Sequence, residues 1–540
     1  MRNNTLKRIS FAGASVVALA LLLPCASNLS AQTADKPARV ANASPEQRAA
    51  RAFEAARANP LDLRAFLLRM PKGADLHYHL SGGVYAETII RDAIEDKLCV
   101  DPANHSFTTP LVGAPSGDAQ PTCNKGEEPA PDALAHQSFY DAMVDALSMR
   151  SFVPFAGASG HDHFFDTFGK FGNTGDHYTG EWLDEAATRA ASQNEQYMEF
   201  MFTPLYDKTK KILETHHWPG DPDLEQAMKQ FRMELLAAGL QEDVPVASKA
   251  IDKALSQQHA REHCSEPQET PACKIKFEFL YQVLRGFPKD RVFAQTLLGF
   301  EIASADPRFV GINFVMAEDG TTSMADYALQ MKIVGFLHSL YPKVHISLHA
   351  GELAEGLVPP EGLCCHIRRA VEEAHAERIG HGVDVMLEAR PYELLKEMAA
   401  KHVMVEVNLT SNDVILGIAG KDHPFPIYRK FHVPVALSTD DEGVSRIDLT
   451  HEYVRAVETY ALSYADLKQM VRTGMEHNFL PGESLWRERD NFTRPVVACA
   501  SDVPGAAKPS AKCADFLKSS EKAQQQWELE HRFREFEASL

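Results

Sequence analysis

Short apolar runs recur along the chain at residues 74–80, 197–202, 292–302, 309–315, 344–348, 378–380, 403–407 and 434–438. The stretches between them are rich in Ala, Leu, Glu and Lys, residues that favour helix. Near-continuous apolar strands alternating with helical segments read as a parallel sheet covered on both faces. Eight such units predict an α/β chain of the (β/α)8 TIM-barrel type. A doubly wound open sheet is the alternative, but no Gly-rich phosphate loop follows the first run. In a barrel, chemistry sits at the C-terminal ends of the strands.

The flanks read differently from the centre. Arg2, Lys7 and Arg8 precede an apolar run at 11–24, and small residues follow to Ala31. This is the layout of a signal peptide over 1–31, with an apolar part too short for a comfortable membrane span. Export to the periplasm or beyond is therefore expected. Residues 32–64 form an N-terminal helical extension, with Ser44-Pro45-Glu46-Gln47 as a helix start. The barrel is assigned to 65–498, with an insertion at about 100–135 dense in Pro, Gly, Asp and Asn. Residues 499–540 form a C-terminal extension ending in a charged amphipathic helix.

Nine cysteines are present. Cys25 belongs to the leader. Cys99 with Cys123, Cys264 with Cys273, and Cys499 with Cys513 are sequence-local pairs in Pro- and Gly-containing stretches, and read as three short disulfides in an oxidising compartment. Six unrelated thiols are the alternative. Adjacent Cys364 and Cys365 are expected as free or buried thiols. The composition, 44% hydrophobic and 24% charged, is that of a soluble globular protein. Losing Arg2, Lys7 and Arg8, which no acidic residue in 1–31 offsets, takes the formal charge from −19 to −22. Such a surface repels phosphate backbones, so no nucleic-acid or membrane partner is expected.

Metal-capable residues end several runs. His77 and His79, two apart on a strand, share one face. The fifth run ends His349-Ala350-Gly351-Glu352, the sixth Gly380-His381-Gly382, and the eighth Ser438-Thr439-Asp440-Asp441. Three imidazoles and a carboxylate (His77, His79, His349, Asp440) suit Zn2+, one per subunit, with a position left for water. Glu352 is placed to act as general acid/base, His381 to polarise the water, and Asp441 to bind substrate.

Together with Met70-Pro71-Lys72, these motifs resemble the adenosine deaminase family over roughly residues 65–480, and within it the secreted growth-factor-related branch. The resemblance implies that His77, His79, His349 and Asp440 ligate zinc, that Glu352 protonates purine N1, that His381 partners the attacking hydroxide and that Asp441 contacts N7. The implied reaction is hydrolytic deamination of adenosine, and of 2′-deoxyadenosine, to inosine and ammonia. The branch often dimerises through its N-terminal helices, so a homodimer is an expectation of the resemblance. Two positions depart from the pattern: Ser81 stands where an Asp often meets the ribose 5′-hydroxyl, and Met316 where a glycine usually touches purine N3. Glu318 is expected near the same rim. These departures keep open another 6-aminopurine, such as methylthioadenosine or a modified nucleoside. A barrel hydrolase acting on an ester or amide and a catalytically silent extracellular binding protein are the readings from other classes.

Other motifs imitate sites. His161-x-His163 lies in a Gly-flanked loop beside Phe164-Phe165 and reads as a lid over the pocket, continued by Phe168 and Phe171. His375-Ala376-Glu377 mimics the cytidine-type zinc deaminases, but no Pro-Cys-x-x-Cys follows. Asn408, Ser411 and Asn412 are expected to orient neighbours or line the pocket. His366 and the Cys364-Cys365 pair follow Glu352 closely enough to flank the mouth, and receive no role.

Overall fold

The computed structural model describes residues 43–111, 119–220 and 222–540. The proposed leader and residues 32–42 lie outside them. Eight parallel strands form one sheet in chain order: β1 (Gly73–His79), β2 (Glu195–Phe202), β3 (Lys276–Leu284), β4 (Phe309–Val315), β5 (His345–Ala350), β6 (Arg378–His381), β7 (Met404–Val407) and β8 (Val435–Leu437). The ring closes just beyond β8, where Tyr78 and Asp440 form a parallel bridge. There the amide of His79 donates to Asp440 O (3.1 Å) and that of Asp440 to His77 O (2.9 Å). Barrel closure thus uses the backbone of three expected metal ligands. Every residue of β1, β4, β6, β7 and β8 is buried, as strands flanked by core and helices must be.

One expected strand is a helix. Residues 292–302 lie inside the helix Lys289–Ala305, of which ten residues are buried, among them Phe293, Leu297, Leu298 and Phe300. A helix apolar nearly all round shows no polar stripe, so its run resembles a buried strand. The true third strand is β3, where Lys276 and Glu278 alternate with Phe277 and Phe279. Lys276 pairs with Glu278 and with Glu521 of the C-terminal helix Glu521–Ala538, each at 2.9 Å.

The region after the first strand carries a small antiparallel sheet of Cys99–Asp101, Ser106–Thr108 and Glu128–Pro129. Disulfides join Cys99 to Cys123, Cys264 to Cys273 and Cys499 to Cys513. Cys364 and Cys365 are joined to each other rather than free. Extended and helical backbones hold adjacent side chains apart, and Cys365 adopts neither, with φ 80°. At the N-terminal side, Ser44 and Gln47 form a reciprocal capping box on helix Pro45–Ala56. Its Phe53 packs on Phe66 of helix Pro60–Arg69 (ring centroids 5.6 Å), and Phe66 on Phe536 of the C-terminal helix (5.2 Å). Among the described residues no helix is long and apolar enough to cross a membrane.

Candidate active site

His77 and His79 end β1 on the same face, β5 delivers His349, and Asp440 follows β8. Their ligating atoms converge. His349 Nε2 lies 3.1 Å from His77 Nε2 and 3.2 Å from His79 Nε2. Asp440 Oδ1 lies 3.3 and 3.1 Å from the same two nitrogens. A tetrahedral ion with ligands at ~2.0 Å needs donor–donor edges of ~3.3 Å, so the spacing fits a small divalent cation.

The other side of each imidazole is held by a polar partner. Nδ1 of His77 meets Glu406 (2.6 Å), Nδ1 of His79 meets Gln282 (3.0 Å) and Nδ1 of His349 meets Asn313 (2.8 Å). Each ring then donates through Nδ1, which turns the Nε2 lone pairs towards one another. Glu406 is wholly buried on β7 and also accepts from Ser347 Oγ. Burial opposes charge at His77, but Asp440 and Glu406 outweigh it and lift its pKa to about 10. Burial and the neighbouring imidazoles hold His349 well below the usual range.

Beside this set lie Glu352, His381 and Asp441. His381 Nε2 is 3.7 Å from Glu352 and 3.9 Å from Asp440, while its Nδ1 faces Asn412 Oδ1 at 2.9 Å. Burial brings His381 down to about 4, so its ring is neutral. Burial, with the Asp440 and Glu318 carboxylates adding, pushes Glu352 well above the usual carboxyl range. Burial raises Asp441 to about 7, Asp440 adding to the effect. Its Oδ1 leaves no room for a side chain at Gly82, whose Cβ would sit 1.6 Å away. Ser411 Oγ donates to Asp440 Oδ2. His381 (φ 68°), Asp440 (φ 65°) and Met316 (φ 79°) all adopt left-handed backbone although none is glycine, strain of the kind that gathers at functional sites.

A cavity of about 500 Å³ opens onto these groups, within the range of small-molecule sites. Its polar lining comes from His79, Ser81, Gln282, His349, Glu352, Asp440 and Asp441, and much of its apolar lining from Phe164, Phe165, Phe168, Phe287 and Met316. Among the described residues no Lys or Arg lines it. Ser81 and Met316 thus stand on the cavity wall. Glu318 does not: it is 1% exposed, and its carboxylate turns inward to accept from the amides of Gly351 (3.1 Å) and Glu352 (2.9 Å) and from His366.

The Phe-bearing segment is the helix Gly160–Phe171 rather than a loop, with Ser159 and Asp162 forming a capping box. Its histidines tie the helix to neighbouring segments: His161 Nε2 meets Asp319 (3.0 Å) and His163 Nε2 meets Ser148 O (3.0 Å). The ligand-orienting Gln282, Asn313 and Glu406 escape the sequence reading. Gln282 is hidden because the third strand is misplaced there. Glu406 leaves a usable signal, an acid inside an apolar strand, which is rare unless the acid is paired.

The family model described as adenosine deaminase matches residues 184–491, more than half of the chain. His349, Glu352, His381, Asp440 and Asp441 fall inside that stretch, and His77 and His79 before it. An adenosine deaminase of Clostridium perfringens (strain 13 / Type A) is 34% identical over 139 residues, 26% of this chain and 39% of that protein. One from Escherichia coli (strain SMS-3-5 / SECEC) is 36% identical over 140 residues, again 26% and 39%. The chain thus spans well under half the length of these curated relatives. A zinc-bound amidohydrolase from Burkhoderia ambifaria shares the fold, with a TM-score of 0.50 and 16% identity over 78% of this chain and 88% of that one. With the match over more than half its length, the chain belongs to the adenosine deaminase family.

Proposed function

We propose that this protein is a zinc-dependent aminohydrolase converting adenosine, and 2′-deoxyadenosine, to inosine and ammonia. The observation that carries the reading is the grouping of Glu352, His381 and Asp441 around a three-histidine, one-aspartate ligand set at the base of one cavity. Zinc held there would supply Lewis acidity, making hydroxide available from water near neutral pH.

The chain's own residues supply the rest. Glu352, kept protonated by burial, donates to purine N1, so that negative charge does not build on the ring as C6 is attacked. Neutral His381 presents Nε2 to the attacking water as acceptor for its proton, while its Nδ1–H is anchored on Asn412. Asp441, whose pKa burial raises, donates to N7 in its protonated form and orients the ring. The amino group takes up the proton held by His381, the C6–N bond breaks to release ammonia, and the C6 hydroxyl returns its proton to Glu352 as it becomes the carbonyl.

The reading includes export. Three sequence-local disulfides support an oxidising compartment. Turnover of purified protein on adenosine, 2′-deoxyadenosine, 5′-methylthioadenosine and adenine, followed by ultraviolet absorbance, tests the function. Deamination of adenosine supports it, and no change on any purine overturns it.

A further inference from the structure

Glu318 makes no contact with the cavity, yet three donors converge on its carboxylate. Oε1 accepts from Gly351 N and from His366 Nδ1, and Oε2 from Glu352 N. The two amides are consecutive, and they belong to the segment that joins ligand His349 to Glu352. Gly351 sits there at φ 75°, so the chain makes a left-handed turn immediately before Glu352. A carboxylate bridging successive amides at such a turn fixes the direction in which the next side chain leaves the backbone.

The clip is itself held. His366 begins the helix His366–Glu372, and its ring stacks on Tyr327 with centroids 3.6 Å apart and planes 7° apart. The Tyr327 hydroxyl donates to His366 O at 2.9 Å. Arg285 approaches Glu318 to 4.0 Å, and its Nη2 donates to Phe314 O (3.0 Å) and His349 O (2.8 Å). One buried network therefore grips both ends of the His349–Glu352 segment, His349 O through Arg285 and the Glu352 amide through Glu318.

We propose that Glu318, oriented by His366, is a positioning residue that aims the Glu352 carboxyl at the reacting ring. This rests on Glu352 being the proton donor, as in the proposed function. A loosened turn would leave the cavity and ligand atoms in place while the acid loses its aim, so the loss should appear in kcat rather than in KM or metal content. A Gln at 318 would turn an N–H2 group towards an N–H donor and break part of the clip. Removing a buried group that orients a functional side chain typically costs about 10–100-fold.

The test compares kcat per bound zinc, KM for adenosine, inosine product inhibition and zinc content in the parent, Glu318→Gln, His366→Asn and His366→Leu. Asn retains an N–H that can replace Nδ1–H, and Leu does not. The expected result is a roughly 10–100-fold fall in kcat for Glu318→Gln and a fall for His366→Leu, with recovery to near parent in His366→Asn. KM, inosine inhibition and zinc stay within about threefold, a split that destabilisation alone would not give because it lowers zinc and activity together. If Glu318→Gln fails to fold, the His366 pair decides alone. Parent-like kcat in Glu318→Gln, or equal kcat in His366→Asn and His366→Leu, overturns the proposal while the deaminase reading stands. A parent that turns over no 6-aminopurine removes both.

Discussion

At the scale of single residues, protonation follows from burial. Glu352 lies where desolvation and two neighbouring carboxylates favour its neutral form, and His381 lies where desolvation keeps it neutral too. One has a proton to give and the other a lone pair to offer, a division of labour that pairs of environment-tuned groups achieve in many enzymes. Glu352→Gln keeps size and removes the acid. It should retain zinc and lose about 10²–10⁴-fold in kcat, read as turnover per bound metal; retained turnover would remove the acid role. The sequence makes these residues legible because each ends an apolar run. Their supports are harder to see. Gln282 and Asn313 orient others from within strands, where nothing in local spacing distinguishes them from ordinary buried polar groups, and Glu318 is singled out for the rim rather than for the turn it clips.

At the scale of elements, strands show in the sequence where flanking turns bound them, and fail where a neighbour imitates them. β1, β4 and β7 are readable as short buried runs. β3 is not, because the charged side chains of half-buried Lys276 and buried Glu278 break the run, while the largely buried helix Lys289–Ala305 supplies a longer apolar one. The helices also carry a pH dependence. Glu452 of helix Leu449–Thr459 accepts from the amide and hydroxyl of Thr410 at the start of helix Leu409–Leu416, tying one to the other. Burial raises its pKa from 4.5 to about 7. Between those values the unfolded chain ionises Glu452 and the folded chain does not, so stability present below about pH 4.5 is lost as pH rises through 7. The shift corresponds to roughly 3 kcal/mol. Glu452→Gln has no such proton to lose. Thermal unfolding at pH 5 and pH 8 should show the parent losing more stability over that interval than the variant; equal losses would contradict the assignment.

For the molecule as a whole, charge and cavity lining act in the same direction. The chain carries a formal charge of −19, and the cavity offers Glu352, Asp440 and Asp441 but, among the described residues, no Lys or Arg. A phosphate entering it would meet acidic side chains and phenylalanine rings with no lysine or arginine to pair its charge, a placement that desolvation makes costly. Adenosine 5′-monophosphate should therefore be turned over at least about 10²-fold less efficiently than adenosine, a difference of roughly 3 kcal/mol in kcat/KM. Comparable values for the two would place an anion site in this cavity.

The barrel closes through the backbone of His77, His79 and Asp440, so the hydrogen bonds that close the fold also place three of the four candidate ligands. Metal should then be required for chemistry but not for the barrel itself. The most direct measurement strips the protein with a chelator, follows adenosine deamination by ultraviolet absorbance, and returns Zn2+ stepwise to the parent and to His77→Ala. Activity should be lost on stripping and restored in the parent at one Zn2+ per chain, with no restoration in His77→Ala. Full turnover by the stripped protein, or restoration in His77→Ala equal to the parent, would contradict that expectation.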